Sequence, residues 1–400
     1  MTGRVRRVGL LSLAVMAMIS ARLLAQSPWT EVRGAGFVLR SQIAPDKLTA
    51  VACDLETAAR ALHGPMSGNA ALPQAVAVND AGSVREWLPQ FNERGRGNPL
   101  GAYWRGLYGD HIVVRVDAPP AERLRRVLHE YAHYVTHVAQ HEPPTWLDEG
   151  LSEVWEHAAI APGTIEIGRP VAEHLKRLRS TKDWIPVAQL VGANGIPTRT
   201  DSASAMFYAE SWALVHYLMF ERRGGQELAN RIPEPADMPT DAALRAYVQG
   251  SLGSGLTIST AAGGRECPGR SDIREIPPME LLLNRALAMA DGERPDAALP
   301  LLRAALTLNP DNVEAKEALG FVHFRANRAR EAATVFDEVI ETGRGSHISY
   351  YYRAVLSAPI PDKTRGGGPI SEVDYLRRAQ ALNPGFAPAV QRLRELMGKY

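Results

Sequence analysis

The sequence predicts an α+β domain followed by an all-α domain of stacked helices, and three observations predict it. Short strand-like runs come first and long amphipathic helical runs follow them. A stretch rich in Gly, Ser, Thr and Pro spans residues 250–278, and the helical pattern beyond it partly repeats itself. Four hundred residues with 45% hydrophobic content suffice for two cores.

The first 25 residues stand apart. Arg4, Arg6 and Arg7 precede an apolar run from Val8 to Ile19, and Leu23-Leu24-Ala25 leads into Gln26-Ser27-Pro28. A positive start, a short apolar stretch and a small residue at the exit describe a secretory signal cut near Ala25. The run is shorter than the ~20 residues of a spanning helix, and Arg22 interrupts it. The chain is therefore expected to be exported, to a bacterial periplasm or the cell exterior; an uncleaved membrane anchor is the lesser option. Its 45 basic and 44 acidic residues leave a net charge of +1, with no electrostatic footprint for nucleic acid. Cys53 and Cys267 lie 214 positions apart; export would allow them to pair, unpaired thiols are the preferred reading, and they are too few for a Cys-rich metal site.

Strands are expected at Gly36–Arg40, Gln74–Val78 and His111–Val116, and helices at Asp46–Leu62 and Ser83–Phe91. From Ala121 the pattern turns helical: Ala121–Val138, a stop and restart at Pro143-Pro144, then Trp146–Ala158, Val171–Arg179 and Ala203–Arg222. Residues 28–249 are thus taken as one domain, 250–278 as a linker and 279–400 as the helical domain. In the last, Ala305-Leu306-Thr307-Leu308-Asn309-Pro310 recurs loosely as Ala379-Gln380-Ala381-Leu382-Asn383-Pro384. Gly320 and Ala332 sit where a helix-turn-helix repeat of about 34 residues places small packing residues. This resembles tetratricopeptide repeats, about three degenerate units, the third interrupted at Pro359–Gly368. The resemblance implies a stacked helical array that recruits a protein or peptide.

The strongest chemical signal is His129-Glu130-Tyr131-Ala132-His133. Random placement of 11 histidines in 400 residues yields only about 0.02 such motifs. Residues four apart on a helix share a face, so both imidazoles can meet one metal ion. Glu130, about 100° round the helix, stands beside the ion, where it can take a proton from an activated water. A catalytic zinc takes three protein ligands and keeps a position open. In the metzincin pattern a Gly and a third His would follow, but Thr136 and Ala139 occupy those places. His137 lies two turns from His129, about 11 Å, too far for one ion. The remaining option is a carboxylate from the next helix.

There the chain reads Trp146-Leu147-Asp148-Glu149-Gly150-Leu151-Ser152-Glu153. With the HExxH motif this resembles the gluzincin metallopeptidases, the thermolysin and aminopeptidase-N type, and most of all the peptidase-MA-like domains joined to tetratricopeptide repeats. The resemblance implies a zincin-like metallopeptidase domain that binds Zn2+ through His129, His133 and Glu149, with Glu130 as general base in peptide hydrolysis. It further implies that Glu153 orients a ligand histidine through its other ring nitrogen, and that Gly150 lets helices pack closely at the metal. Tyr208 stands at roughly the distance of the tyrosine that donates to the oxyanion in aminopeptidase-like members. It reads equally well as a packed helix residue beside Trp212 and Tyr217. His216 reads as a satisfied helix histidine. The Gly-Ala-Met-Glu-Asn exopeptidase element is missing, since Gly101-Ala102-Tyr103-Trp104 matches only its first two letters, so endopeptidase and exopeptidase both stay open. The strand at His111–Val116 is expected at a sheet edge, where it would pair with an extended substrate. The alternative function is a catalytically inactive zinc-domain scaffold acting through its repeats, and a closed structural zinc site is a further one.

Overall fold

A computed structural model of the chain describes residues 28–62, 72–87, 100–140, 142–161, 163–197, 201–222, 231–250, 252, 255–259, 267–292, 295–357 and 371–398. The expected export signal and the insertion at 359–368 lie outside the described residues. Two compact units divide the chain, the first ending at Ile276 and the second having its main span at Pro277–Tyr400. Both are consistent with a mixed α/β region followed by a helical one.

The first unit is built on a six-stranded mixed sheet. Its strands are β1 (Thr30–Arg33), β2 (Val38–Ser41), β3 (Gln74–Val78), β4 (Gly101–Arg105), β5 (Asp110–Arg115) and the short β9 (Arg274–Glu275). The order is β4-β5-β3-β2-β1-β9, parallel at β2–β3 and β3–β5 and antiparallel elsewhere. Between β5 and β9 in the chain, β6 (Ala159–Ala161), β7 (Thr164–Ile167) and β8 (Leu256–Ser259) form a second, antiparallel sheet. The expected edge at His111–Val116 is corrected here. Strand β5 lies between β3 and β4, and among the described residues the edge is β4, whose short Gly-Ala-Tyr-Trp-Arg run carries little period-two signal.

Helices of this region are α1 (Pro45–Leu62), α2 (Ala81–Trp87), α3 (Pro120–Ala139), α4 (Thr145–Glu156), α5 (Ala172–Ser180), α6 (Val187–Val191), α7 (Asp201–His216) and α8 (Asp241–Gln249). Helix α3 opens with proline at its first position, where the missing N–H costs nothing. Every residue from Val127 to Thr136 is buried, because α3 runs through the middle of the unit against α1, α4, β4 and β5. Tyr131, Trp146, Phe207 and Trp212 fill the core around it.

The expected linker at 250–278 is also corrected, because much of it is woven into the first unit. Leu256–Ser259 pairs with β7, and Arg274 Nη2 lies 2.7 Å from the buried Glu31 carboxylate, which also meets Arg40 at 2.9 Å. Cys267 is joined to Cys53 by a disulfide, not a pair of free thiols. Gly, Ser and Thr here serve short edge strands and turns, whose apolar periodicity is too brief to read.

The second unit holds α9 (Pro278–Asp291), α10 (Leu299–Leu308), α11 (Val313–Arg325), α12 (Ala329–Glu341), α13 (His347–Val355), α14 (Glu372–Leu382) and α15 (Ala387–Met397). The two Leu-Asn-Pro turns share one geometry. Asn309 (φ −143°, ψ 91°) and Asn383 (φ −142°, ψ 92°) end α10 and α14. Each side chain accepts the N–H two residues on at 3.2 Å, and this local turn blocks further helix. A Cβ on Gly320 would lie 2.8 Å from the Phe336 ring, so glycine is what lets α11 and α12 close on each other.

Candidate metal centre

His129 and His133 sit one turn apart on α3, both buried. From α4, Oε2 of Glu149 stands 3.6 Å from Nε2 of His129 and 3.6 Å from Nε2 of His133. Both gaps exceed a hydrogen bond, and this buried oxygen has no hydrogen-bond partner. Donor atoms of the three residues all lie within 4.8 Å of one another. Two bonds of about 2.1 Å at a tetrahedral angle separate ligand atoms by roughly 3.4 Å, so this spacing and donor set fit one divalent ion.

The far sides of both rings are held. Oε2 of Glu156 stands 2.8 Å from Nδ1 of His129, and Oδ1 of Asp148 stands 2.9 Å from Nδ1 of His133. The other oxygen of Asp148 meets Nε2 of His137 at 3.1 Å. With these carboxylates at Nδ1, the Nε2 atoms of both rings are the ones that face Glu149. Burial and the Arg126 charge push His129 towards its neutral form, but Glu149 and Glu156 outweigh them and hold it well above the ordinary histidine value. Burial likewise opposes charge on His133, and Asp148 and Glu149 overcome it. Burial notwithstanding, the His129 ring holds Glu156 down to about 2.

Glu153 departs from expectation. Its Oε1 is 4.0 Å from His129 Nδ1, while its Oε2 meets Nε2 of His174 at 2.8 Å. Three glutamates at positions 149, 153 and 156 share one helix face, and it is the last that reaches His129. Gly150 also differs in its partner. A Cβ there would lie 2.5 Å from the carbonyl oxygen of Ser211, so its missing side chain seats α4 against α7 and not against α3.

Glu130 lies buried beside the pair, with Oε1 3.7 Å from Nη1 of Arg126 one turn earlier. A Cβ on Gly101 of β4 would come within 2.8 Å of Arg126 Cγ and 3.0 Å of Glu130 Cγ, so the edge strand lies flush against α3 at this point. Tyr208 on α7 faces a cleft of about 550 Å³ that Gly101, Arg126, Glu153, Glu156 and His174 also line. Burial, then the charges of Glu149, Glu153 and Glu130, raise its phenol far above the ordinary range, so it is a neutral O–H donor at any working pH. His216 lies elsewhere, Nδ1 2.7 Å from Tyr247 Oη and Nε2 2.9 Å from the Gly168 carbonyl, a satisfied core histidine.

Four residues of the site carry no clear mark in the sequence: Arg126, Asp148, Glu156 and His174. Asp148 has only its place beside Glu149 as a signal, and His174 comes from a separate helix.

With this geometry in hand, family comparison adds two matches. Residues 124–239, which hold the whole His129–Glu149 constellation and Tyr208, match the family described as Protein of unknown function (DUF1570). Residues 288–355 match Tetratricopeptide repeat, which accords with the helical second unit and suggests protein interaction. No curated protein and no solved structure shows a significant match.

Proposed function

We propose that the first unit is a zincin-like, gluzincin-type peptidase that hydrolyses peptide bonds, with Zn2+ held by His129, His133 and Glu149. One observation carries this: a buried carboxylate oxygen without a hydrogen bond stands equidistant, at 3.6 Å, from the inward nitrogens of two buried imidazoles. When bound, the zinc ion supplies Lewis acidity, polarising the scissile carbonyl and acidifying water. Glu130 accepts the proton of the attacking water and returns it to the leaving amine. Tyr208 donates its O–H to the oxygen that gains charge, where a fixed dipole works best. Asp148 and Glu156 keep the two rings oriented. Edge strand β4, beside Glu130, is where an extended peptide would add to the sheet.

Export fits the charged, apolar opening of the chain and the disulfide. No helix among the described residues is long and apolar enough to cross a membrane. The repeats recruit a protein substrate or partner.

Metal content of the purified chain, measured beside cleavage of denatured casein with and without chelator, tests the proposal. Glu130→Gln should keep the zinc and lose turnover. Stoichiometric zinc with no cleavage of any protein substrate would favour the inactive scaffold instead.

A further inference from the structure

We infer that the cleft beside the metal centre takes a carboxylate of its ligand, and that Arg126 is the residue that holds it. That the ligand is a peptide rests on the peptidase function proposed above; that it presents a carboxylate rests on the cleft itself.

Arg126 carries five N–H donors and uses few of them. Its one hydrogen bond is long, Nη2 to Oε1 of Glu156 at 3.4 Å, and Nη1 stays 3.7 Å from Glu130. Its Nε is buried with no hydrogen-bond partner among the described residues, which desolvation makes unfavourable. The side chain is still 28% exposed, on the wall of the cleft. The arrangement is built, since a side chain on Gly101 would collide with the arginine stem. Of the carboxylates around it, Glu156 shares its other oxygen with His129 and Glu153 meets His174, each at 2.8 Å, while Glu130 stands no closer than 3.7 Å, so none forms a close two-bond pair with the guanidinium. The lining also carries Glu122 and Glu173 with Arg125 and Arg177, two acids against two bases. A planar fork with spare donors in a desolvated wall recognises a carboxylate by two parallel bonds. Two sources offer that group, the free C-terminus of a peptide or an Asp or Glu side chain.

The full-length chain supplied with zinc tests this with three matched acetylated hexapeptides: a neutral sequence with a free C-terminal acid, the same sequence as its amide, and the amide with one internal Glu. Cleavage efficiency is measured on each, and binding is measured calorimetrically on chelator-treated protein. The expected result is a preference of on the order of 10–100-fold for a carboxylate-bearing peptide over the neutral amide. In Arg126→Gln that ratio should fall towards one, whatever happens to absolute rates, and Arg126→Lys should restore part of it. A merely structural arginine would lower all three peptides alike and leave the ratio standing. Preference for the acid identifies the C-terminus, and preference for the Glu peptide identifies a side chain. Cleavage without any preference overturns the carboxylate site and leaves the peptidase intact. Arg126-dependent binding with no cleavage does the reverse.

Discussion

Glu156, and not Glu153, is the residue that stands behind His129, 2.8 Å from its Nδ1 against 4.0 Å. An outer carboxylate on a ligand histidine fixes its tautomer and raises its basicity, and losing one typically costs 10–100-fold in metal affinity. Glu156→Gln is therefore expected to weaken zinc binding by about that factor in a competition titration against a chromophoric chelator. Glu153→Gln, acting on His174, should weaken it far less. Equal losses in the two variants would sink this assignment.

Gly150 leads to a prediction about stability. A methyl group there would sit 2.5 Å from both Ser211 O and Val215 Cγ2, and a backbone carbonyl in a buried helix cannot swing aside. Gly150→Ala should therefore force α4 away from α7 at a cost of roughly 1–3 kcal/mol, despite the better helix propensity of alanine. Chemical denaturation of the full chain measures it; an unchanged or raised midpoint would show that the helix pair yields without strain.

How much of this was readable beforehand follows from which distances are local. The pairing of His129 with His133 is fixed by helical pitch, and α3 forms where the pattern predicts, at Pro120–Ala139 against an expected Ala121–Val138. Glu149 came from a resemblance, because no local rule says which residue of one helix meets another. Positions 149, 153 and 156 fall on one face by the same periodicity, so spacing alone cannot choose the partner of His129; only the depth and tilt of α4 against α3 do that. Strand β4 leaves no mark in the sequence because edge strands need no strong apolar alternation, and residues 256–259 and 274–275 look like linker because their partners, β7 and β1, are about 90 and 240 residues distant. The turns at Asn309 and Asn383 were legible, being chemistry of neighbours.

The Cys53–Cys267 bridge is another long-range contact, spanning 214 residues. It ties the region before β9 to α1, and cross-linking so long a segment removes freedom chiefly from the unfolded chain. Reduction, or the double change Cys53→Ser and Cys267→Ser, is expected to destabilise the first unit by about 2–4 kcal/mol. The thermal midpoint with and without reductant checks this. If the serine variant unfolds at the same temperature, the bridge contributes no stability.

Glu210 makes stability depend on pH. Its side chain is buried on α7, where Oε1 accepts the Ile185 N–H at 2.9 Å and Oε2 has no hydrogen-bond partner. Burial raises the carboxyl to about 8, against 4.5 for the ordinary group, with the Ile185 bond opposing only part of the shift. Between those two values the folded chain keeps a proton that the unfolded chain releases. The contribution to stability is then whole below about 4.5 and is lost as pH climbs towards 8. Glu210→Gln keeps the acceptor for Ile185 and has nothing to ionise. Its urea midpoint should match that of the parent near pH 4.5 and exceed it increasingly up to pH 8, so that the two curves diverge only on the alkaline side. Parallel curves over that range would mean that Glu210 is already ionised in the folded protein, with the Arg245 charge compensating it there.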